Sequence, residues 1–307
     1  MAGKFGKVAV LMGGASAERE ISLISGKAVL DALIRAGIDA HGFDPAEQPI
    51  WRLADERPAR VFIALHGGAG EDGTIQAALD LLQIPYTGSG VLASALAMDK
   101  RRTALIWQAL GLPVPRSCLV ADANAGPAVA AELGLPLIIK PVREGSSLGV
   151  VKVQRLEEFA AAYAAARDVA GHAEEVMAEE FISGIELTAA VLGRRTLPLI
   201  RIEAPEGRYD YQNKYFSDTV RYHCPAGIDT AKEAEIAASV LAAYDALGCR
   251  GWGRADLILQ PDGRFRLLEM NTAPGMTGHS LVPMAAQAAG IDFTSLVLAI
   301  LAEARYG

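Results

Sequence analysis

The 307-residue sequence has few cysteines and no concentration of basic charge. Its three cysteines, Cys118, Cys224 and Cys249, lie far apart and form no CxxC pair, which favours a reducing compartment and gives no indication of zinc. Lysine and arginine number 29 against 36 aspartates and glutamates, and the formal net charge of −7 disfavours a nucleic-acid or anionic-membrane partner. We therefore expect a cytoplasmic protein that does not bind nucleic acid or membranes.

Long apolar runs are also missing. No stretch reaches the roughly 18 residues that a membrane span requires, and Met1 to Lys7 lacks the apolar region of a signal peptide. Hydrophobic residues nevertheless make up 51% of the chain and charged residues 21%, a balance that excludes a disordered protein. At about 100–200 residues per domain, this length predicts two or three domains.

The first hundred residues alternate short apolar strands with helical patterns. Strands are predicted at Lys7–Leu11 and Arg60–Leu65, and helices at Glu18–Ala36 and Thr74–Leu82. This alternation is typical of a doubly wound parallel sheet. After residue 99 strands follow one another more directly, so the sequence predicts an α/β region followed by α+β regions.

The segment Arg254–Asn271 contains polar residues whose relative positions can be inferred. An Asp-Gly pair at 262–263 predicts a two-residue hairpin loop. With that loop, Asp256 lies opposite Glu269 and Arg254 opposite Asn271, all on one face. Two carboxylates and an amide oxygen suit Mg²⁺ that also holds phosphates. A three-residue loop would point Asp256 the other way, and a surface salt bridge between Arg254 and the acids is the simpler alternative.

Two loops carry groups suited to anions. The glycines and serines of residues 140–149 can lay N–H groups and hydroxyls over phosphates, although the Walker pattern is absent. Three lysines could supply positive charge there, namely Lys100, Lys140 and Lys214. Gly275 offers an N–H to a developing oxyanion beside Arg254, and Ser280 can bind a carboxylate. A flexible turn, solvent-facing lysines and an ordinary connecting loop are the alternatives.

Two further candidates lie in the first region. Glu18 falls in the first turn of a predicted helix, where the helix dipole alone favours an acid. His66 follows a predicted strand, at the edge where open α/β sheets bind ligands, but an ordinary loop histidine is the alternative. The pattern GxGxxG is absent, which argues against a nicotinamide-dependent dehydrogenase.

Seven segments together resemble the D-alanine–D-alanine ligases of the ATP-grasp superfamily, over essentially the whole chain. In order they are GGASAEREISL (13–23), ALHGGAGEDGT (64–74), PYTGSGVLASALAMDK (85–100), IIKPVREGSSLGV (138–150), YDYQNKYFSD (209–218), GCRGWGRADL (248–257) and LLEMNTAPGMTGHSLVP (267–283). The resemblance implies ATP-dependent ligation of two D-alanines through a D-alanyl phosphate, for peptidoglycan synthesis in the cytoplasm, by a homodimer.

The resemblance also implies a fold and a set of nucleotide contacts. Its domains would be an N-terminal α/β substrate domain (1–98), a central ATP-grasp subdomain (99–186) and a C-terminal ATP-grasp and metal-binding domain (187–307), with ATP between the sheets of the last two. Two Mg²⁺ ions, or Mn²⁺ in their place, would be held by Asp256, Glu269 and Asn271. The phosphates would contact Lys100, Lys140 and Lys214. The adenine and ribose would contact Glu179, Ile182 and Glu186.

The substrate contacts are implied in the same way. Glu18 resembles the acid that holds the first substrate's ammonium, linked to Ser146 and Tyr215. The remaining resemblances are the oxyanion hole of Arg254 and Gly275, the site for the second substrate's carboxylate at Ser280 and Leu281, and a substrate contact at His66. The polar and aromatic segment Tyr209–His223 is the expected lid, since an acyl phosphate must be kept from water.

Some residues depart from the family pattern, and two alternatives stay open. Ala69 and Ala273 replace a common glycine and serine, and Met270 separates two metal ligands, but no assigned functional group is lost.

A D-alanine–D-lactate ligase has the same fold, and Tyr215 argues against it. A non-catalytic nucleotide-binding regulator would not need Glu18 and Arg254 together with a full metal triad.

Overall fold

The computed structural model describes residues 5–170, 175–205 and 219–307, and within them the strands form three sheets. The strands, β1 to β13 in chain order, are Val8–Leu11, Ala40–Phe43, Arg60–Ile63, Ser117–Leu119, Leu137–Pro141, Val151–Val153, Val176–Glu180, Ile185–Leu192, Arg195–Thr196, Ile200–Glu203, Arg221–His223, Trp252–Leu259 and Phe265–Asn271. The α-helices, α1 to α10, are Arg19–Arg35, Leu53–Glu56, Thr74–Leu81, Val91–Met98, Lys100–Ala109, Gly126–Leu133, Phe159–Ala170, Thr230–Ala246, Leu281–Ala288 and Phe293–Ala302.

The first sheet is parallel, as the strand–helix alternation predicts. Its order is β2-β1-β3, and Tyr86 adds a parallel bridge to Val61 at its edge. Strand β1 is fully buried, whereas in β2 only Phe43 is buried, so β2 carries little apolar signal and escapes sequence reasoning. The glycine turns that follow β1 and β3 lie at the carboxyl ends of parallel strands, which places both at one edge of the sheet.

The other two sheets are antiparallel throughout. One has the order β4-β7-β5-β6, and the other has β11-β10-β8-β12-β13 with β9 beside β8. The predicted mixture of α/β and α+β regions is therefore confirmed. Helix α5 was not predicted, although Asp99 caps it by accepting a hydrogen bond from the Arg102 N–H at 2.8 Å, a standard start signal.

A shared core joins the first sheet to the third. Val8 and Phe62 of the first sheet belong to the same buried cluster as Trp252 of β12 and Ile300 of α10, and the rings of Phe62 and Trp252 lie 6.3 Å apart between centroids. Met276, which follows β13, belongs to the same cluster, so this core also holds the segment after β13 against the first sheet. The division at residues 98 and 186 stays a prediction.

No single helix within the described ranges has the length and apolar character to cross a membrane. Helices α9 and α10 satisfy that test only together, as a pair bent by 106°.

Candidate active site

The β12–β13 hairpin brings the predicted acids together. Arg254 pairs with Asn271 and Asp256 with Glu269, as the sequence predicts. Residues 254, 256 and 258 alternate with fully buried neighbours, so their side chains share the face of the sheet away from the core.

The predicted two-residue loop of this hairpin is wrong. Leu259 pairs with Phe265, and the Gln260 N–H donates to the Arg264 carbonyl at 2.7 Å, which leaves a three-residue loop at positions 261–263. A register shift between Asp256 and Leu257 then places the extra residue Leu268 in β13 and restores the predicted pairs. Loop and bulge shift the register in opposite directions, so the acids face each other as expected.

Asp256 has partners on three sides. The Arg254 guanidinium donates to both its carboxylate oxygens, at 2.8 and 2.7 Å, and the Thr188 hydroxyl donates to Oδ1 at 2.6 Å. The Asn271 amide nitrogen lies 3.2 Å from Asp256 Oδ2. The Arg254 and Asp256 side chains are only 15% and 13% exposed, so this pair is not the surface salt bridge that the sequence left open.

The donor set fits a hard cation held jointly with another molecule. Within the described parts of the chain, no three His, Cys, Asp or Glu side chains are grouped to hold a metal. Asp256, Glu269 and the Asn271 amide supply two carboxylates and one neutral oxygen, which leaves positions for phosphate oxygens and water, the usual arrangement for Mg²⁺.

Two lysines lie close to carboxylates of the site. Lys100 Nζ lies 3.6 Å from Glu269 Oε2 and donates to the Glu144 carbonyl at 2.5 Å, and Lys140 Nζ lies 2.6 Å from Glu179 Oε2. Both lysines are buried, at 9% and 8% exposure. Buried cations next to carboxylates can exchange partners for a phosphate without being desolvated again, so the solvent-facing alternative does not apply to Lys100 and Lys140.

A cavity of about 240 Å³ lies between the second and third sheets. Seven of the predicted nucleotide and metal residues line it: Lys100, Lys140, Glu179, Ile182, Glu186, Asp256 and Glu269. Apolar side chains complete its wall, including Phe181, Ile258 and Leu268. A cavity lined by both lysines and carboxylates and by apolar side chains suits a ligand with a flat ring and a phosphate chain.

Glu18 and Ser146 meet from distant parts of the chain. Glu18 is the N-cap residue of α1, but its carboxylate makes no capping hydrogen bond and instead accepts the Ser146 hydroxyl. Ser146 has a φ of +52°, a left-handed backbone that costs a non-glycine residue about 1–2 kcal/mol. Gly67 makes room for the acid, because a Cβ there would lie 2.6 Å from Glu18 Oε2. Helix-dipole stabilisation alone therefore does not account for Glu18.

His66 is buried behind this pair. Its Nδ1 lies 3.0 Å from the Ala273 carbonyl and its Nε2 lies 2.9 Å from the Ser25 hydroxyl. Burial lowers the pKa of His66, and the Arg254 charge acts in the same direction, against the opposing effect of Glu18. The glycine turns beside it line a second cavity of about 650 Å³, at the carboxyl edge of the parallel sheet.

The segment after β13 places the other predicted groups. A Cβ on Gly275 would come within 2.8 Å of Ser280 Oγ, so only glycine fits without displacing that hydroxyl. The Thr277 N–H donates to Ser280 Oγ at 2.9 Å. Ser280 is the N-cap residue of α9 and Leu281 its first residue, where free N–H groups favour a carboxylate.

Comparison with known proteins identifies the family. The model of the D-ala D-ala ligase C-terminus matches residues 106–302, and that of the D-ala D-ala ligase N-terminus matches residues 52–89. The D-alanine–D-alanine ligase of Aromatoleum aromaticum is 61% identical over 304 residues, which cover 99% of this chain and 97% of that protein. The chain belongs to the D-alanine–D-alanine ligase family.

Solved structures agree with this assignment. The D-alanine–D-alanine ligase of Bacillus anthracis complexed with ATP has a TM-score of 0.85 at 28% identity, with 97% of each chain covered. The VanG D-Ala:D-Ser ligase of Enterococcus faecalis has a TM-score of 0.84 at 31% identity, with 97% of this chain and 99% of that one covered. The same architecture is therefore found in ligases named for different second substrates.

Sequence reasoning missed two features of this family member's site. Thr188, fully buried on β8, positions Asp256, but a lone threonine in a strand carries no signal. Glu71 lies with Oε1 3.9 Å from His66 Nδ1, and burial together with the Glu18 charge raises the pKa of Glu71 to about 8. Lys214, Tyr215 and most of the predicted lid lie outside the described residues.

Proposed function

We propose that this protein uses ATP to join two molecules of D-alanine into D-alanyl-D-alanine, with release of ADP and phosphate. The dipeptide would serve peptidoglycan synthesis. The observation that carries the proposal is that one loop contacts two groups, since Ser146 donates to Glu18 and the carbonyl of Glu144, two residues before it, accepts from Lys100. The Glu18–Ser146 pair can hold an amino acid's ammonium, and the Lys100–Glu269 pair marks the end of the nucleotide cavity where phosphates would lie. Family membership and the ATP-complexed relative support the same reaction.

The first step makes a poor electrophile reactive. A carboxylate oxygen of the first D-alanine attacks the γ-phosphorus of ATP, and ADP leaves, so that the amino acid becomes an acyl phosphate. Lys100 and Lys140 neutralise charge on the transferring group, and Glu18 fixes the amino acid by its ammonium. Mg²⁺ bound by Asp256, Glu269 and Asn271 would supply further charge neutralisation and align the phosphates.

The second step forms the peptide bond. The free amine of the second D-alanine attacks the acyl carbon, the C–O bond to phosphate breaks, and the proton that the amine loses goes to the departing phosphate, which is released as hydrogen phosphate. Arg254 and the Gly275 N–H are proposed to stabilise the oxyanion that develops on that carbon, a role worth roughly 10²–10³ in rate per donor. The hydroxyl of Ser280 and the N–H groups that begin α9 would hold the second substrate's carboxylate.

The decisive experiment measures phosphate release and the products formed with ATP and D-alanine, alone or together with D-lactate or D-serine. We expect D-alanyl-D-alanine as the main product. Depsipeptide formation would favour the D-lactate alternative, D-alanyl-D-serine would favour the VanG type, and ATP binding without turnover would favour a regulator. Tyr215 is proposed to favour the amine acceptor, so Tyr215→Phe should raise the ratio of D-lactate to D-alanine use.

Further features are proposals on the same basis. The proposed three-domain division, with ATP between the second and third units, keeps the first sheet within residues 1–98 and the second within 99–186, but its boundary at 186 falls inside β8 of the third sheet. The free cysteines Cys118, Cys224 and Cys249 are consistent with the cytoplasm, where ATP is available. A homodimer is what the family implies, and light scattering coupled to size-exclusion chromatography would test it.

A further inference from the structure

A continuous hydrogen-bonded chain runs behind the site. Ser25 on α1 and His66 after β3 lie side by side, with Ser25 Oγ 2.9 Å from His66 Nε2. The Met276 N–H donates to the same hydroxyl at 3.1 Å, and the other ring nitrogen of His66 lies 3.0 Å from the Ala273 carbonyl. All four residues are buried, Ser25 and Met276 completely.

The partners fix every proton in this chain. The Ala273 carbonyl can only accept, so His66 Nδ1 must carry a proton and donate it. The Met276 N–H can only donate, so it uses a lone pair of Ser25 Oγ. Ser25 Oγ keeps a second lone pair, but if Nε2 donated to it, the proton of this fully buried hydroxyl would have no acceptor among its described partners. The hydroxyl therefore donates to His66 Nε2, and the ring is neutral with its proton on Nδ1 alone.

The charged groups around the ring are compatible with this state. Glu18 favours a protonated ring and Arg254 opposes it. Glu71 Oε1, at 3.9 Å from Nδ1, is too distant for a hydrogen bond. Burial is the largest influence and lowers the pKa of His66, in agreement with the neutral form that the hydrogen bonds require.

These hydrogen bonds fix one short backbone segment at both of its ends. Ala273 and Met276 flank the dipeptide Pro274–Gly275, so His66 holds the residue before it and Ser25 the residue after it. Ser25 belongs to helix α1, whose N-cap residue is Glu18. The same helix therefore carries the group proposed for the first substrate's ammonium and the hydroxyl that fixes the Gly275 segment.

We infer that Ser25 and His66 are positioning residues that fix the position of the Gly275 N–H relative to Glu18. This role rests on the proposed ligase function, because it assigns a purpose to the Gly275 N–H. The pair acts through the backbone of residues 273–276 and need not touch substrate. Displacing a catalytic donor by about 1 Å can lower the reaction rate as much as 10²-fold, so fixing the position of this N–H matters for catalysis.

The protonation state can be tested without any activity. The chain has five histidines, so ¹⁵N-histidine labelling with long-range ¹H–¹⁵N correlation gives a small set of signals, and His66→Gln identifies the one from His66. We expect a neutral ring with its proton on Nδ1 at pH 7, and a changed Nε2 signal in Ser25→Ala. A charged ring or a proton on Nε2 would overturn the inference, whatever reaction the protein catalyses.

The kinetic test uses a matched control on the same helix. Ser22 is also fully buried, and its hydroxyl accepts from the Gly13 N–H at 2.9 Å and donates to the Ala64 carbonyl at 2.8 Å, so its hydrogen bonds go to partners other than residues 273–276. Ser25→Ala should lower kcat about 10- to 100-fold with little change in the KM for ATP.

Ser22→Ala should lose similar thermal stability and a much smaller part of kcat. Equal losses of kcat in the two variants would show that Ser25 only stabilises the fold. Absence of ligation by the wild-type protein would refute the proposed function instead, and the NMR result would still decide the protonation of His66.

Discussion

At the scale of single residues, Glu269 lies between a lysine and a second carboxylate, since it contacts Lys100 and pairs across the hairpin with Asp256. Glu269→Gln leaves only one carboxylate for a cation, so we expect phosphate release to fall at least roughly 10²–10³-fold, as for loss of an oxyanion donor. Asp262→Asn is the control, because Asp262 lies at the tip of the same hairpin and pairs with Arg264 at 2.8 Å. Near-normal turnover by Glu269→Gln would refute the assignment of Glu269 to the metal.

Glu71 should make stability depend on pH. The pKa of its carboxyl is raised from 4.5 to about 8, first by burial and then by the Glu18 charge. Between these values the unfolded form has lost the proton that the folded form keeps, so this contribution to stability falls as pH rises from about 4.5 to about 8. Glu71→Gln removes it, and the variant should gain stability relative to wild type at pH 8 compared with pH 5.

Urea denaturation at the two pH values measures this difference. Glu20→Gln, at an exposed position on α1, controls for the loss of a carboxylate as such. If the stability difference between Glu71→Gln and wild type is the same at both pH values, the Glu71 carboxyl is not held protonated by the fold.

At the scale of elements, the β12–β13 hairpin shows what the sequence could predict. Strand alternation placed Arg254 and Asp256 on one face, and the Asp-Gly signal located the turn correctly. The predicted loop length was wrong. The loop has three residues, the last of which is Gly263 at a φ of +82°, and a bulge at Leu268 offsets the extra residue. Bulges carry no clear sequence signal, since they depend on the surroundings of the extra residue, and here Leu268 lines the cavity between the second and third sheets.

Other links were beyond prediction for a different reason. Ser25 and Met276 are 251 positions apart, and no local pattern indicates that they meet. Strand β2 was missed because three of its four residues are not buried. Periodicity therefore predicted buried elements and paired acids, whereas contacts between distant parts of the chain and polar edge strands required the structure.

The turn itself can be tested. Gly263 has open space around its Cα, with Lys232 Cε at 4.0 Å as the nearest contact of an added Cβ, so Gly263→Ala introduces backbone strain without a steric clash. We expect a loss of about 1–2 kcal/mol in the free energy of unfolding and a nearly unchanged KM for ATP. Gly263→Asn should lose less, because asparagine tolerates the left-handed region. Equal stabilities of Ala and Gly at this position would contradict the described turn.

At the scale of the whole molecule, ligand binding should couple to unfolding. ATP with Mg²⁺ would contact the second and third sheets together, and saturation at 100 times the Kd stabilises a folded protein by about 2.7 kcal/mol. Lys140 Nζ lies 2.6 Å from Glu179 within the cavity, and Lys140→Ala should abolish most of that stabilisation. Differential scanning fluorimetry across ATP concentrations measures it, and an equal rise in Tm for Lys140→Ala and wild type would argue against a phosphate contact.

The Glu18–Ser146 contact joins positions 128 residues apart, from the first region and from the loop between β5 and β6. The acids on β12 and β13 come from a third sheet. Each part supplies groups that the others lack, so neither the first region nor the antiparallel sheets alone contain a complete site. Catalytic activity should consequently report on tertiary assembly: during gradual denaturation it should vanish while much of the helical circular-dichroism signal remains, and separately expressed fragments should be inactive until they reassociate.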